Sequence, residues 1–377
     1  MERLINSIMR IAVLVNLKQN APIYDQMPSD RWHDLDSERT PDAICAVLRR
    51  AGHKATYFEA SIHPPFNLIE RLREFQPDLC FNISESHFGD GRESQVPAIL
   101  EMLQIPYTGS RLTALALALD KPMTKRILAY HGLPTPEFQT FSRADEPVHG
   151  ELLNEDGELR YPLFVKPSAE GTSMGVSGDS IVHTVAALRH EVGRQLNRYQ
   201  QPILVERFVS GREVMVGMVG NVHLNGAHRP DERARYDVIP DTLEFMPAIE
   251  VDTTKYPESE GGVYTNRMKT DMADEYHYFC PAPLSDAQWD ELRRLSAATF
   301  RAVDCKDVAR IDFRLDETQD YKPYILEINP LPGLTPNFSD LCLQALARGW
   351  DHDRLVLAIL DAAIERHGLR EKVMSYE

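Results

Sequence analysis

Hydrophobic and polar positions alternate with a period of two in residues 308–315 and again in 324–329. In the first segment Ile311, Phe313 and Leu315 fall on one face, and Arg310, Asp312 and Arg314 on the other. In the second, Leu326 and Ile328 oppose Glu327 and Asn329. Side chains of a strand point alternately to opposite faces, so each segment predicts a strand with one apolar and one polar surface. The connection 316–323 is short and polar, which predicts an antiparallel hairpin. Such pairing brings Asp312, Glu327 and Asn329 onto one face, with Arg310 beside them. Alternation alone favours an edge hairpin with one solvated face. The other reading is a cation site, because three oxygen-bearing side chains gathered closely repel one another unless a hard cation such as Mg²⁺ lies among them.

Upstream, apolar runs and helical spacings take turns. Residues 11–15, 55–58 and 79–83 read as strands, and 42–51, 68–75 and 94–103 as helices, with the short apolar piece 105–107 following. Strands alternating with helices predict a parallel sheet with crossover helices, here an open doubly wound α/β unit of roughly 110 residues. Residues 112–132 are helical but interrupted at Asp120-Lys121-Pro122, where the aspartate can cap a second helix carrying proline in its first turn. Beyond Pro136 the pattern turns to strands and loops. Residues 143–160 are polar and read as surface, and 161–166 and 202–208 are strands flanking a helix at 184–196. After Glu213 the strands look antiparallel, with an irregular insertion at 221–245, a helix at 288–303 leading into the hairpin, and a final helix at 355–367.

Composition narrows the classes. The chain has 377 residues, 43% of them hydrophobic and 26% charged, and a formal net charge of -16. That acidity disfavours a nucleic-acid backbone or an anionic membrane as main partner, while leaving room for a local basic site for a small phosphate ligand. The five cysteines are scattered without a CxxC pair, which fits a reducing compartment and no zinc or disulfide framework. The first apolar run is too short for a signal sequence and no segment reads as a membrane span, so the cytoplasm is the expected location.

Two further segments carry chemistry. Residues 164–177, FVKPSAEGTSMGVS, give a strand with Lys166, then a loop with Gly171, Thr172, Ser173 and Gly175. Small residues let backbone N–H groups close around phosphate oxygens, and lysine adds a point charge. Taken alone, a Gly/Ser turn after a strand is more often a simple hairpin. Residues 202–213, PILVERFVSGRE, run from an apolar strand through Glu206, Phe208 and Val209 to Glu213. A strand edge with free backbone groups suits a flat heterocycle, and a nearby carboxylate suits ribose hydroxyls. Alone, a buried strand with a solvated glutamate is the simpler account.

The ordered set is more specific than its parts. FNISESHFGDGRESQVPAILEMLQIPYTGS from Phe81, the Asp120-Lys121 pair, FVKPSAEGTSMGVS, VERF, YFCPAPL from Tyr278 and ARIDFRLDE with YILEINPLPGLTP resemble the D-alanine–D-alanine ligase family of the ATP-grasp superfamily. The resemblance runs from about residue 81 to the C-terminus. It implies a Rossmann-like pre-ATP-grasp domain at 1–110, then a two-lobed α+β ATP-grasp domain with lobes at 111–200 and 201–377. It implies ATP phosphates on Lys121, Lys166 and Lys269 under a loop of Glu170, Gly171, Thr172 and Ser173. Adenine would lie on Glu206, Phe208 and Val209, with the ribose on Glu213. Asp312, Glu327 and Asn329 would hold two Mg²⁺ ions, with Mn²⁺ a possible substitute, and Arg310 would stabilise an oxyanion. The implied partners are small amino-acid-like molecules, and family members commonly form homodimers.

The amino-acid half departs from the family. The family's amine-binding glutamate follows the first strand, where this chain has a longer, different segment with Glu38 or Asp36 as stand-in. His87 is the candidate for the family's histidine, and Gly333 and Ser339 for its later substrate contacts, with Phe338 standing where the family has a serine. His228, Arg229, Arg233 and Arg235 of the insertion read as a solvated loop before they read as a substrate contact. The expected activity is therefore an ADP-forming carboxylate–amine ligase acting on an amino acid or related acid other than the D-alanine pair. D-alanine–D-alanine ligation is the alternative, and an inactive ATP-binding sensor is a third, disfavoured by the intact Arg310, Asp312, Glu327 and Asn329.

Overall fold

The computed structural model describes residues 8–25, 27–222, 238–257, 261–265, 267, 268, 272 and 277–369. Lys269 and the four basic residues of the insertion lie outside these. The first sheet has three parallel strands, β1 (Arg10–Val15), β2 (Lys54–Glu59) and β3 (Leu79–Asn82), in the order β2-β1-β3. A further parallel bridge joins Cys80 to Tyr107. The run IAVLV is apolar throughout because both faces are covered, as a parallel sheet with crossover helices requires. Ala12 and Leu14 pack on α2 (Leu68–Phe75) and α3 (Gln95–Met102). Ile11, Val13 and Val15 pack instead on α1 (Arg39–Arg50) and on the last helix, α9 (His352–Arg366), through Ile44, Leu48, Leu355 and Ile359. The C-terminus thus completes the core of the N-terminal sheet.

The break at Asp120 separates α4 (Leu112–Leu119) from α5 (Lys121–Tyr130), and the Asp120 carboxylate accepts from Met123 N–H at 2.9 Å as the expected cap. A second sheet follows, with β4 (Phe138–Phe141), β5 (Leu163–Pro167), β6 (Ile181–Val182) and β7 (Ile203–Arg207) in the order β4-β7-β5-β6, all antiparallel. Helix α6 (Val185–Tyr199) covers it through Leu188 and Val192. Three sequence readings need correction here. β4 was not anticipated, and the stretch read as surface at 143–160 sends a fully buried Leu152 into this core. A boundary at residue 200 would also cut β7 away from the sheet to which it is hydrogen-bonded.

The third sheet carries β8 (Gly211–Gly220), β9 (Leu243–Phe245), β10 (Ile249–Val251), β11 (Tyr278–Phe279), β12 (Val308–Asp316) and β13 (Lys322–Asn329). Its order is β11-β10-β8-β12-β13, with β9 also paired to β8. Helix α7 (Asp286–Ala302), opened by a Ser285–Gln288 capping box, packs on the apolar face of β12. Helix α8 (Asp340–Ala347), missed in the sequence, lies on the opposite face, where Gly217 leaves room for it. Among the described residues no helix is long and apolar enough to cross a membrane.

Gly217 makes that packing testable. A methyl group there would run into the Leu341 side chain and the amide of Gln344, whose nitrogen donates to Met215 O at 2.7 Å. Gly217→Ala should destabilise the fold by about 1–3 kcal/mol through overpacking. Chemical denaturation reads this directly, and an unchanged midpoint would contradict the close approach of α8 to β8.

Candidate active site

The hairpin forms as its alternation predicts: Arg310 faces Asn329 and Asp312 faces Glu327 across β12 and β13. The register then shifts, so that Phe313 faces Ile325 and Leu326 becomes an extra residue. Such a bulge re-aims side chains. Ile325 and Ile328 enter the core, whereas Leu326, expected on the apolar face, turns with Glu327 into a cleft between the second and third sheets. The hairpin is also no free edge on its β12 side, where β8 pairs along the whole strand.

The cleft brings together Lys121, Lys166, Glu170, Ser173, Glu206, Phe208, Val209, Glu213, Asp312 and Glu327. Its apolar end holds Phe164 and Phe208, with ring centroids 6.2 Å apart, together with Val209, Met174, Val176, Val263 and Leu326. A slot of this kind accepts a flat ring. The strand edge expected at Glu206 is corrected: β7 is an inner strand, paired on both sides, and the backbone leaves the sheet only beyond its end. There Phe208 N–H donates to Pro162 O, and Arg314 donates to Val209 O at 3.1 Å. Arg314 also pairs with Glu213 at 2.9 Å and lies over the Phe208 ring, tying the carboxylate to the apolar slot.

The polar end is built on buried charge. Glu206, 2% exposed, pairs with Lys166 at 2.7 Å and with Lys125 at 2.8 Å. Burial by itself would raise the Glu206 pKa, but the two ammonium groups outweigh it and hold the carboxylate below its ordinary value. One carboxylate cannot compensate two lysines. Burial pulls the fully enclosed Lys125 down to about 8, while for Lys166 Glu206 and Glu327 overcome burial and raise it. Glu327 acts on both lysines as well, so the buried cations are held by carboxylates on two sides. Sequence reasoning missed Lys125 and Arg314; the available signals were Lys125 one turn after Lys121 on α5 and Arg314 two residues after Asp312 on β12.

Next to the trio, Lys121 lies 3.3 Å from Glu327 and donates to Glu170 O. Arg310 grips Asp312 with two hydrogen bonds, 2.7 and 2.8 Å, and reaches Asp340 at 3.1 Å. Asn329 donates to Asp312 at 3.1 Å. Burial lowers the Arg310 pKa, but these carboxylates raise it well above normal, so it stays charged. The oxygens of Asp312, Glu327 and Asn329 are hard donors and fit Mg²⁺ chemically. Among the described residues no cluster of three or more His, Cys, Asp or Glu side chains forms a protein-only metal cage. The set suits an ion that shares its shell with phosphate oxygens.

The loop between β5 and β6 crosses over this end. Thr172 and Ser173 take left-handed conformations with φ of 48° and 52°, costly for a β-branched residue, and Ser173 Oγ donates to Tyr264 O at 2.9 Å. Gly175, at φ 77°, fits because a side chain there would strike Pro167 and Tyr199.

The substrate-side expectations fare unevenly. Glu38 is exposed, accepts from Gln19 at 3.0 Å and does not line the cleft. The acids buried in this region are Asp34, paired with Arg92 at 2.7 Å, and Asp36, with Glu85 and Glu93 nearby. Burial and the Asp34 charge raise Asp36 to about 6 against the pull of Thr40, and burial, then Glu93 and Asp34, raise Glu85. His87 packs edge-on against Trp32, and burial lowers its pKa, favouring the neutral ring. Ser339 Oγ accepts from Thr335 N–H at 3.0 Å and fills the space over Gly333, closing that turn. Arg39 and Thr40 of α1 bond to Pro336 O and Thr335 of the same turn at 2.6 and 2.8 Å.

Comparison with known proteins is consistent in direction. Residues 127–361 match the family described as D-ala D-ala ligase C-terminus. The chain is 32% identical to uncharacterized protein y4sG of Sinorhizobium fredii over 95% of this chain and 98% of that one. It is 32% identical to a D-alanine–D-alanine ligase of Syntrophotalea carbinolica over 87% and 91% respectively. The crystal structure of the Bacillus anthracis D-alanine–D-alanine ligase complexed with ATP superposes with a TM-score of 0.67 at 20% identity, covering 97% of this chain and 99% of that one.

Asp36 yields a pH prediction. Its pKa rises from 3.8 to about 6 on folding, so between those values the folded chain holds a proton that the unfolded chain releases. Its contribution to stability is complete below 3.8 and is lost as pH rises through about 6. Asp36→Asn should therefore gain melting temperature relative to wild type as pH rises from about 4 to 7. A difference that stays flat with pH would contradict the buried, proton-holding carboxyl.

Proposed function

The chain belongs to the D-alanine–D-alanine ligase family, and on that footing we propose that it is an ATP-dependent, ADP-forming carboxylate–amine ligase. The substrate is an amino acid or amino-acid-like acid, and the product an amide other than D-alanyl-D-alanine. The observation that carries this reading is the meeting of Lys121 and Lys166, with the buried Lys125 behind them, and the carboxylates of Asp312 and Glu327 in one cleft ending in an aromatic slot.

In this reading the adenine lies against Phe208 and Val209 at the end of the Glu206 strand, and Glu213 takes the ribose. Lys121 and Lys166 hold the phosphates, and Glu170, Gly171, Thr172 and Ser173 close over them. Asp312, Glu327 and Asn329 would hold Mg²⁺, which when bound neutralises phosphate charge and aligns the transferring group. The donor carboxylate attacks the γ-phosphorus; the bond to the ADP oxygen breaks, leaving an acyl phosphate. The acceptor amine then attacks the acyl carbon. Arg310 donates to the oxyanion of the tetrahedral intermediate, phosphate departs with the C–O electron pair, and the amine proton is released. Most of this is positioning and electrostatic work in a site that must exclude water, because an acyl phosphate hydrolyses readily.

The substrate departure is supported by Glu38 lying at the surface and by an exposed Phe338 standing where the family has a serine. D-alanine–D-alanine ligation remains the second reading, favoured by the named relatives at 32% identity over most of the chain.

Amine-dependent phosphate release from ATP across a panel of amino acids and amines tests the proposal. Release with D-alanine alone would establish the second reading, and no release with any pair would sink both. Arg310→Ala should lower turnover by about 10²–10³, the usual loss on removing an oxyanion donor. Retention of more than roughly a tenth of the rate would remove Arg310 from that role.

A further inference from the structure

The segment between β1 and α1, where the sequence departs from the family, reaches both ends of the phosphate loop. At the near end, Arg31 pairs with Glu170 at 2.6 Å, with the two side chains 16% and 2% exposed. Arg92, itself held by Asp34, donates to Ala169 O at 3.1 Å, and Asp34 Oδ2 lies 3.7 Å from the position a Cβ on Gly171 would occupy. At the far end, Asp30 accepts from Gly175 N–H at 3.3 Å and is fixed by Tyr199 at 2.7 Å and Arg198 at 2.9 Å. Behind the loop lies a second cleft of about 850 Å³, with Arg31, Arg92, Ser168 and Glu170 on its walls. Polar ties at both ends, together with the buried Met174, hold the loop against the nucleotide cleft. Glu170 lines both clefts: its carbonyl accepts from Lys121 of the nucleotide cleft, and its carboxylate meets Arg31 and Gln201 of the second one.

We propose that Arg31 is a positioning residue for ATP, acting through Glu170: it neutralises a buried carboxylate behind the nucleotide cleft, and so fixes the residue whose carbonyl holds Lys121 and which leads into the loop's strained Thr172–Ser173 turn. Asp30 fixes the loop's other end. The proposal rests on the nucleotide reading above and deepens it, giving the unmatched N-terminal segment a part in nucleotide capture. Removing Arg31 leaves the buried Glu170 carboxylate without its closest cation. Gln201 still donates to it at 2.6 Å, and Arg92 stands 3.8 Å away. An undercompensated buried charge behind the nucleotide cleft opposes an anionic ligand. Removing the carboxylate as well takes that repulsion away.

The test is MgATP affinity by calorimetry in Arg31→Met, Arg31→Lys and the double variant Arg31→Met/Glu170→Gln. Trp32 fluorescence serves as a second readout, because the Arg31 guanidinium lies 5.2 Å from its ring. Arg31→Met should weaken MgATP about tenfold, an ordinary size for coupling between a residue and a ligand it does not touch. Arg31→Lys should recover most of that loss and the double variant a clear part of it. A merely structural role would instead lower the ligand-free melting temperature and leave the double variant as weak as the single one. If Arg31→Met does not fold, Arg31→Gln carries the same comparison, keeping a hydrogen bond to Glu170 without the charge. Arg31→Met that binds within about twofold of wild type would overturn the proposal, as would a lysine variant no better than methionine. Wild-type protein that binds no MgATP would overturn the nucleotide reading itself.

Discussion

The arrangement depends on a buried carboxylate between two ammonium groups, Glu206 between Lys125 and Lys166. Three ionised groups so deeply enclosed are expensive unless each is held in good geometry. The geometry comes from covalent and hydrogen-bonded frames: Glu206 and Lys166 stand on neighbouring strands of one sheet, β7 and β5, and Lys125 is on the helix that begins at the Asp120 cap. Removing Glu206 would leave two lysines facing each other without compensation. With it in place the trio remains one charge in excess. In the proposed reading, phosphate oxygens in the cleft would share the compensation of these buried ammonium groups.

From that centre the division of labour between sheets and loops follows. In the proposed reading, groups that meet the nucleotide stand mainly on hydrogen-bonded strands of the second and third sheets and on α5. Groups on the amino-acid side stand on connections: 16–38 after β1, the turn at 333–339, and residues 84–93 after β3. Ladder hydrogen bonds fix a strand side chain to within fractions of an ångström, whereas connections tolerate changes of length and composition. A chain can therefore keep the chemistry of phosphoryl transfer while changing what it joins, and the divergence seen here lies where the fold permits it.

Legibility from sequence tracks the same distinction. The pairing of Asp312 with Glu327 and Arg310 with Asn329 was readable because a period of two and a short polar connection leave few registers. Lys166 and the loop after it were readable because strand, lysine and small residues are adjacent in the chain. Lys125 was not read, since its partner Glu206 lies 81 positions away and nothing local announces the pair. Arg314 was not read because its carbonyl partners belong to other segments. Glu38 was chosen by its place in the chain, yet the turn that begins α1 carries it outward and leaves Asp34 and Asp36 inside. Each miss is a long-range pairing or the direction of a turn, and neither leaves a local trace.

The bulge on the hairpin shows why one irregular residue matters more than the regular ones around it. In an unbroken ladder, Leu326 would join Ile328 in the core and Glu327 alone would reach the cleft. The register shift after Asp312 lets Ile325 and Ile328 fill the core instead, and frees two consecutive residues, Leu326 and Glu327, to line the cleft side by side. In the proposed reading, Leu326 and Glu327 would serve different parts of one ligand from adjacent positions. A strand with strict alternation cannot supply them from neighbouring positions. Local disruption of the ladder is therefore the means by which one strand places an apolar and a charged side chain in the same cleft.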